Sequence, residues 1–291
     1  MDADLTTTSD EAAQKRLDEL VRQVRDLPAL PTSVTRVIQI TNDPKAGLSD
    51  VAHALASDQG LASRVLRLAN SAYYGSSRRI GTVSEAVVIL GMRTTRNLTL
   101  ATSCQEMLER EVQGYFLPRG ALWRHSLACA AAAQNLARRA HFRGTEEAFV
   151  AGLLHDIGKV IMSSYLKSEF ALVLTRVASG EMTFSDAERA SLGFDHAEAG
   201  ARLLERWKLP ASLVTAVRCH HVPTEAPDSP LAALVHIADT ICLTLGIGLG
   251  VDGMAYALDP NALRMLNLTE SDFEQVASQT CDTLSEAGPV F

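Results

Sequence analysis

No stretch of this 291-residue chain holds eighteen consecutive apolar residues, so no transmembrane helix is expected. The opening residues Met1-Asp2-Ala3-Asp4-Leu5 are acidic and polar, which argues against a secretory signal and for a cytoplasmic location. Basic patches are missing too: 27 Lys and Arg are spread among 34 Asp and Glu, leaving a net charge of −7. Binding to a nucleic-acid backbone is therefore excluded as the main task. The five cysteines (Cys104, Cys129, Cys219, Cys242, Cys281) are odd in number, far apart and form no C-x-x-C pair. Neither a disulfide framework nor a thiolate zinc site is indicated, and they read as small core residues of a reducing compartment. Cys219 adjoins His220, but one neighbouring imidazole does not make a nucleophile. Internal repeats, low-complexity tracts and alternating strand patterns are absent as well.

What remains is helix. With 47% hydrophobic and 21% charged residues the chain has an ordinary soluble composition and the length for one large domain or two small ones. Leu17, Leu20, Val21, Val24 and Leu27 recur at three- and four-residue spacing behind a Thr8/Glu11 capping box. Leu27-Pro28-Ala29-Leu30-Pro31 stops that helix. Short helices are expected through Val34, Val37 and Ile38, from Ser49 to Ala56, and from near Asp58 through Leu61, Val65, Leu66, Leu68 and Ala69. A Thr82/Glu85 capping box opens the next, which Gly91 ends before helix resumes at Met92. Gly114 to Gly120, with Pro118 inside, is the best candidate for a subdomain boundary. Further helices are expected over Leu122 to Ala140, from Thr145 through His155-Asp156, over Phe170 to Ala178 and after a Ser185/Glu188 capping box. Asp195 is placed to cap a helix with His196 in its first turn; Ala211 to His221, a helix from Pro230, and Thr269 to Ser285 complete the set. Gly246, Gly248, Gly250 and Gly253 read as a flexible connection. The fold class is all-α.

One run holds the chemistry. In Leu153-Leu154-His155-Asp156-Ile157-Gly158-Lys159-Val160 a histidine and an aspartate lie inside an apolar segment that reads as one buried helix. An ionised Asp156 there costs several kcal/mol unless a cation or donors meet it. The pair is either a core histidine and aspartate satisfying each other or part of a metal site. His125, His155, Asp156, His196, His220, His221 and Asp239 all sit in apolar second-half helices, and such residues can converge on a bundle core. A nitrogen and oxygen set without thiolate suits iron, manganese, zinc or another divalent ion, one or two in number. Asp156 can bridge two ions while His155 holds one. His53, His141 and His236 read as ordinary satisfied histidines. Lys159 either holds a phosphate oxygen as a point charge or is a surface lysine reaching solvent at a helix end.

His-Asp followed by two separated histidine sites and a distal aspartate resembles the HD superfamily of metal-dependent phosphohydrolases. The surrounding segments are closer to one branch, the HDOD (HD-related output domain) proteins. They are Leu27-Pro28-Ala29-Leu30-Pro31, Leu66-Arg67-Leu68-Ala69-Asn70-Ser71-Ala72, Ala86-Val87-Val88-Ile89-Leu90-Gly91 and Leu122-Trp123-Arg124-His125-Ser126. Gly152 to Gly158, Gly193-Phe194-Asp195-His196-Ala197-Glu198-Ala199-Gly200, Trp207-Lys208-Leu209-Pro210 and His220-His221 continue it, in family order. The resemblance implies two packed helical bundles, the second HD-phosphohydrolase-like. On it the chain divides into an extension at 1–24, an N-terminal HDOD subdomain at 25–117, an HD-like subdomain at 118–250 and a C-terminal helical extension at 251–291. It implies a bacterial signal-transduction output or scaffold role without catalysis, with other signalling proteins as partners; that neither nucleic acid nor membrane is a partner is expected from the charge and hydropathy above. Carried over by position, His125, His155, Asp156 and Asp239 would hold one metal, and Asp156, His196, His220 and His221 a second. The fuller ligand set supports the alternative of a phosphohydrolase acting on a cyclic dinucleotide or other nucleotide, with Lys159 steadying negative charge. Metal serving only to clamp helices is a third reading. Asp58-Gln59 stands where the family has Asp-Pro. The glycine- and tyrosine-containing motif of the cyclic di-GMP-cleaving HD-GYP branch is absent, since Val222-Pro223-Thr224-Glu225-Ala226-Pro227 follows the paired histidines. No receiver or cyclase segment accompanies these residues, so inputs and outputs are expected to arrive by non-covalent contact.

Overall fold

Apolar residues three and four apart along the sequence become the buried stripes of successive helices in the computed structural model. It describes residues 13–22, 30–70, 79–165, 169–178, 182–251 and 257–286. Helix α1 (13–22) buries Leu17, Leu20 and Val21, while Val24, Leu27 and the Thr8/Glu11 box lie outside the described residues. Then come α2 (Thr32–Asn42), α3 (Leu48–Ala56), α4 (Gln59–Ala69) and α5 (Val83–Leu108). Asp58 caps α4 by accepting the Leu61 N–H at 2.9 Å. Thr82 caps α5 by accepting the Glu85 N–H at 3.1 Å, but the Glu85 carboxylate returns to the Gly81 N–H at 2.8 Å rather than to Thr82. Gly91 interrupts α5 as expected: with φ 81° and ψ 167°, a conformation essentially reserved for glycine, it separates the helical stretch from Val83 to Leu90 from the one that resumes at Met92.

The second half contains α6 (Ala121–Arg139), α7 (Thr145–Leu154), α8 (Ile157–Tyr165), α9 (Phe170–Ala178), α10 (Phe184–Leu192) and α11 (His196–Arg206). After these follow α12 (Ala211–Arg218), α13 (Pro230–Thr244), α14 (Pro260–Met265) and α15 (Glu270–Glu286). Among the described residues there is no strand, only an isolated bridge between Val112 and Leu117, so the all-α expectation holds. Helices α2 to α5 pack on one another, α6 packs between α7, α13 and α15, and α5 touches both groups through α6, α7 and α8. One continuous apolar core runs through both halves. No described helix is long and apolar enough to cross a membrane.

Two further expectations fail here. His155-Asp156 does not lie within one helix; the pair occupies the break between α7 and α8. The His155 ring itself closes α7, its Nδ1–H donating to the Gly152 carbonyl at 2.7 Å, one of the acceptors a helix end leaves over. Ser185 and Glu188 do not form a capping box. Thr183 is the cap of α10, accepting the Asp186 N–H at 3.1 Å, and both Ser185 and Glu188 are buried inside the helix.

Two glycines position the break. A Cβ on Gly152 would stand 2.8 Å from the Cys129 carbonyl oxygen, so α7 lies directly on the alanine-rich face of α6. A Cβ on Gly158 would overlap the His196 carbonyl and approach the Gly200 N at 2.7 Å, so α8 and α11 meet backbone to backbone. Between these contacts His155 is brought to α6, and Asp156 to α11.

Candidate metal centre

All seven residues singled out as ligands come together, and all but the half-buried His221 are buried. His125 on α6 places Nε2 3.0 Å from Asp239 Oδ1 on α13 and 3.6 Å from Asp156 Oδ2. His155 Nε2 is 3.3 Å from Asp156 Oδ2 and 3.7 Å from Asp239 Oδ1. On the opposite side, His196 Nε2 lies 3.4 Å and His220 Nε2 3.9 Å from Asp156 Oδ1. His221 Nε2 stands 2.7 Å from His196 Nε2. The Asp156 carboxylate thus separates two groups of nitrogens, one facing each oxygen.

The imidazoles are oriented from behind. His125 Nδ1–H donates to the Ile247 carbonyl at 2.9 Å, His155 to Gly152, and His220 to the Val217 carbonyl at 2.7 Å. His196 Nδ1 donates to Glu188 Oε2 at 2.7 Å. A carbonyl or a carboxylate accepts, so each of these rings carries a hydrogen on Nδ1 and turns Nε2 to the centre. Such outward bonds are the usual support of metal-ligating histidines. The glycine-rich connection read as flexible supplies Ile247, held between Gly246 and Gly248, which both have positive φ. His236 is a satisfied histidine as expected, but its bonds serve the site: Nδ1–H donates to the His220 carbonyl at 2.8 Å, and Nε2 accepts the Asp259 N–H at 2.9 Å. His53 lies elsewhere on the surface, bonded to the Ser49 carbonyl.

Glu188 is the participant that sequence reasoning missed. Besides His196 Nδ1, its Oε2 accepts the His196 N–H at 3.1 Å, and its Oε1 accepts the Tyr115 hydroxyl. The sequence offered no separate signal for it, because Ser185 and Glu188 also match a capping box. Ser185 donates to Asp195 Oδ2 at 2.6 Å, fixing the residue that caps α11 through the Glu198 N–H at 2.9 Å. Lys159 is no surface lysine. It is buried, with Nζ 2.5 Å from Asp156 Oδ2 and 5.7 Å from the centre of the Tyr115 ring.

Charge follows from this packing. Burial by itself would lower the His155 pKa, yet Asp156 and Asp239 push it up to about 10. His125 is raised against burial by Asp239, and His196 against burial by Glu188. Burial and the neighbouring His155 charge pull His220 down to about 3; burial and the adjoining imidazoles also lower His221. Asp156 and Asp239 stay well below the usual carboxylate range, because the adjacent imidazoles, and Lys159 for Asp156, outweigh burial. Burial raises Cys219 and carries Cys104 up to about 12, so neither thiol is poised as a nucleophile.

The residues fit a divalent ion. Asp156 Oδ1 is buried and accepts no hydrogen bond among the described residues. The Nε2 atoms of His125 and His155 face each other at 3.3 Å with both Nδ1 atoms committed as donors, so this position takes a cation, a proton as the raised pKa of both rings shows, or a metal ion in its place. His196, His220 and His221 present one ligand atom each within 4.8 Å of one another, as do His125, His155 and Asp156, and His155, His220 and Asp239. A cavity of about 200 Å³ opens onto this cluster, lined by Lys159, Arg189, His196, His221 and Asp239.

Comparison with known proteins agrees with this architecture. An uncharacterized protein of Treponema pallidum (strain Nichols) is 28% identical over 223 residues, 75% of this chain; the chain spans 42% of that relative's length. The structure of an HDOD domain protein of unknown function from Geobacter sulfurreducens superposes with a TM-score of 0.75 at 29% identity, covering 95% of this chain and 96% of that one. A protein from Shewanella amazonensis SB2B, provisionally named a phosphohydrolase, gives a TM-score of 0.72 at 29% identity, covering 92% and 95%. The HDOD domain family matches residues 27–223, spanning α2 to α5 and every candidate ligand but Asp239. This chain belongs to the HDOD domain family.

Proposed function

We propose that this chain is a bacterial signalling module of the HDOD type built on a divalent-metal centre. Its output is contact with other signalling proteins, and the centre sets the state of the helices that make that contact. His125, His155, Asp156 and Asp239 would hold one ion, and Asp156, His196, His220 and His221 a second. The observation that carries the reading is the orientation of His125, His155, His196 and His220: each fixes Nδ1–H on an outside acceptor and turns Nε2 inward. A core that merely tolerated histidines would have no reason to aim four of them at the same pair of carboxylates.

A second reading is supported by the cavity of about 200 Å³ beside the cluster, with Lys159 and Arg189 in its wall. On that reading the site hydrolyses a phosphoester of a nucleotide or cyclic dinucleotide. A divalent ion, when bound, supplies Lewis acidity toward a phosphoryl oxygen. The protein's own part is positional: Glu188 fixes the tautomer of His196, buried walls exclude water, and Lys159 offers a cation to an entering anion. The provisional name of the Shewanella protein points the same way for that protein.

Elemental analysis of protein purified without a metal-affinity tag tests the first reading, alongside Asp156→Ala. Stoichiometric metal, lost in Asp156→Ala, is expected. Metal-free wild type that takes up none on dialysis against manganese, iron or zinc overturns it. Assays of the same samples against cyclic di-GMP and a generic phosphodiester decide the second reading, which requires turnover that Asp156→Ala abolishes.

A further inference from the structure

The two oxygens of Asp156 are not equally ready for a metal ion. Oδ1, on the side of His196 and His220, accepts no hydrogen bond among the described residues. Oδ2, on the side of His125 and His155, already holds the Lys159 ammonium at 2.5 Å. That ammonium is buried, packs over the Tyr115 ring and borders the cavity beside the cluster. A divalent ion drawing on Oδ2 would meet it at close range, and two cations on one carboxylate oxygen repel strongly in a dry site. A lysine ammonium rides on a four-carbon stem with rotatable donors, so it can leave by turning about its own bonds.

Resting on the metal reading above, we propose that Lys159 is the resident counter-ion of the His125, His155 and Asp239 half of the centre. Metal ions therefore load in order. The His196, His220 and His221 half fills first, through Asp156 Oδ1, without disturbing Lys159. The other half fills only when the ammonium leaves Oδ2 and turns into the cavity. There it makes the wall electropositive, suited to a small oxyanion such as a phosphate group, and only in the fully loaded protein. Anion binding is thereby tied to occupancy of the second half.

The test is a manganese titration of metal-stripped wild type and of Lys159→Met, followed by calorimetry. In wild type the second ion is expected to bind at least tenfold more weakly than the first. Lys159→Met should strengthen the second step by tenfold or more and leave the first within about threefold. In parallel, wild-type Lys159 is acetylated with acetic anhydride and quantified by mass spectrometry. Protection is expected without metal and at one equivalent, and labelling at two. Inorganic phosphate should bind wild type only at two equivalents. Two ions bound with Lys159 labelling unchanged overturns the proposal while leaving the metal centre standing. Absence of any manganese binding removes the proposed function and this inference together. Should Lys159→Met fail to fold, the labelling of wild type decides alone.

Discussion

Orienting an imidazole requires a grip on the nitrogen that does no ligating, and Glu188 provides the charged version of that grip. It holds both the ring and the backbone N–H of His196, and Tyr115 in turn donates to it. Replacement of such an outer partner typically costs tenfold to a hundredfold in metal affinity. Glu188→Gln is therefore expected to weaken manganese binding by about that factor while leaving the fold intact, as read by competition with a chelator and by circular dichroism. Unchanged affinity would show that His196 needs no support. Legibility at this scale was uneven for a physical reason. His125, His155, Asp156, His196, His220, His221 and Asp239 stood out because polar residues in apolar helices are expensive. Glu188 did not, because Thr183-x-x-Asp186 and Ser185-x-x-Glu188 both satisfy the capping pattern two residues apart. Only tertiary packing decides which of the two faces solvent.

At the scale of elements, the joints matter more than the helices. Helix extents were largely readable from periodicity and caps: α9 falls on the expected Phe170 to Ala178, and α13 begins at Pro230. The break at His155-Asp156 was not, since no proline or glycine interrupts those two residues. It arises from contacts on either side, where Gly152 and Gly158 admit neighbouring backbones, and from the His155 ring taking a terminal carbonyl. His220 repeats the device at the end of α12, taking the carbonyl three residues before it. Gly158→Ala would drive a methyl group into the His196 carbonyl and separate α8 from α11. A loss of roughly 3 kcal/mol is expected, at the upper end for overpacking, with metal affinity falling as well. Gly91→Ala is the matched contrast: no atom lies within 4 Å of its added Cβ, but φ is 81°. It should cost about 1–3 kcal/mol of backbone strain and leave metal affinity unchanged. Urea denaturation with parallel metal titration separates the two. Equal effects on metal binding would refute the joint's role.

For the molecule as a whole, the centre couples stability to pH. His155, with its pKa raised to about 10, and the likewise raised His125 and His196 contribute stability that is complete below their ordinary value of 6.5. That contribution is lost as pH rises toward the folded-state values. His220, lowered to about 3, and His221 act oppositely: they contribute above 6.5 and lose it as pH falls. Asp156 and Asp239, held low, lose theirs only in stronger acid. In chelator the melting temperature is therefore expected to peak near neutrality and decline between pH 6.5 and 10. Manganese at a hundred times its Kd adds about 2.7 kcal/mol. Because ligation requires imidazoles without a proton on Nε2, its stabilising effect should grow over the same alkaline range. Thermal scans with EDTA and with manganese check both; a flat EDTA profile from pH 6.5 to 10 would contradict the charge assignment. The all-α class was legible from the lack of alternating patterns. The single core joining both halves was not, because periodicity reports which face is buried and never against what.

Helix α7 is ten residues long, about 15 Å, and is anchored at both ends by polar contacts of different kinds. At its start the Glu146 carbonyl takes the Asn97 amide of α5 at 2.6 Å, and the Glu146 carboxylate takes Gln134 of α6 at 3.1 Å. At its finish stands His155. One short rod thus links that imidazole to the residues that clasp its far tip. Ten residues of helix are all that separate the α5 contact from the histidine beside the carboxylates.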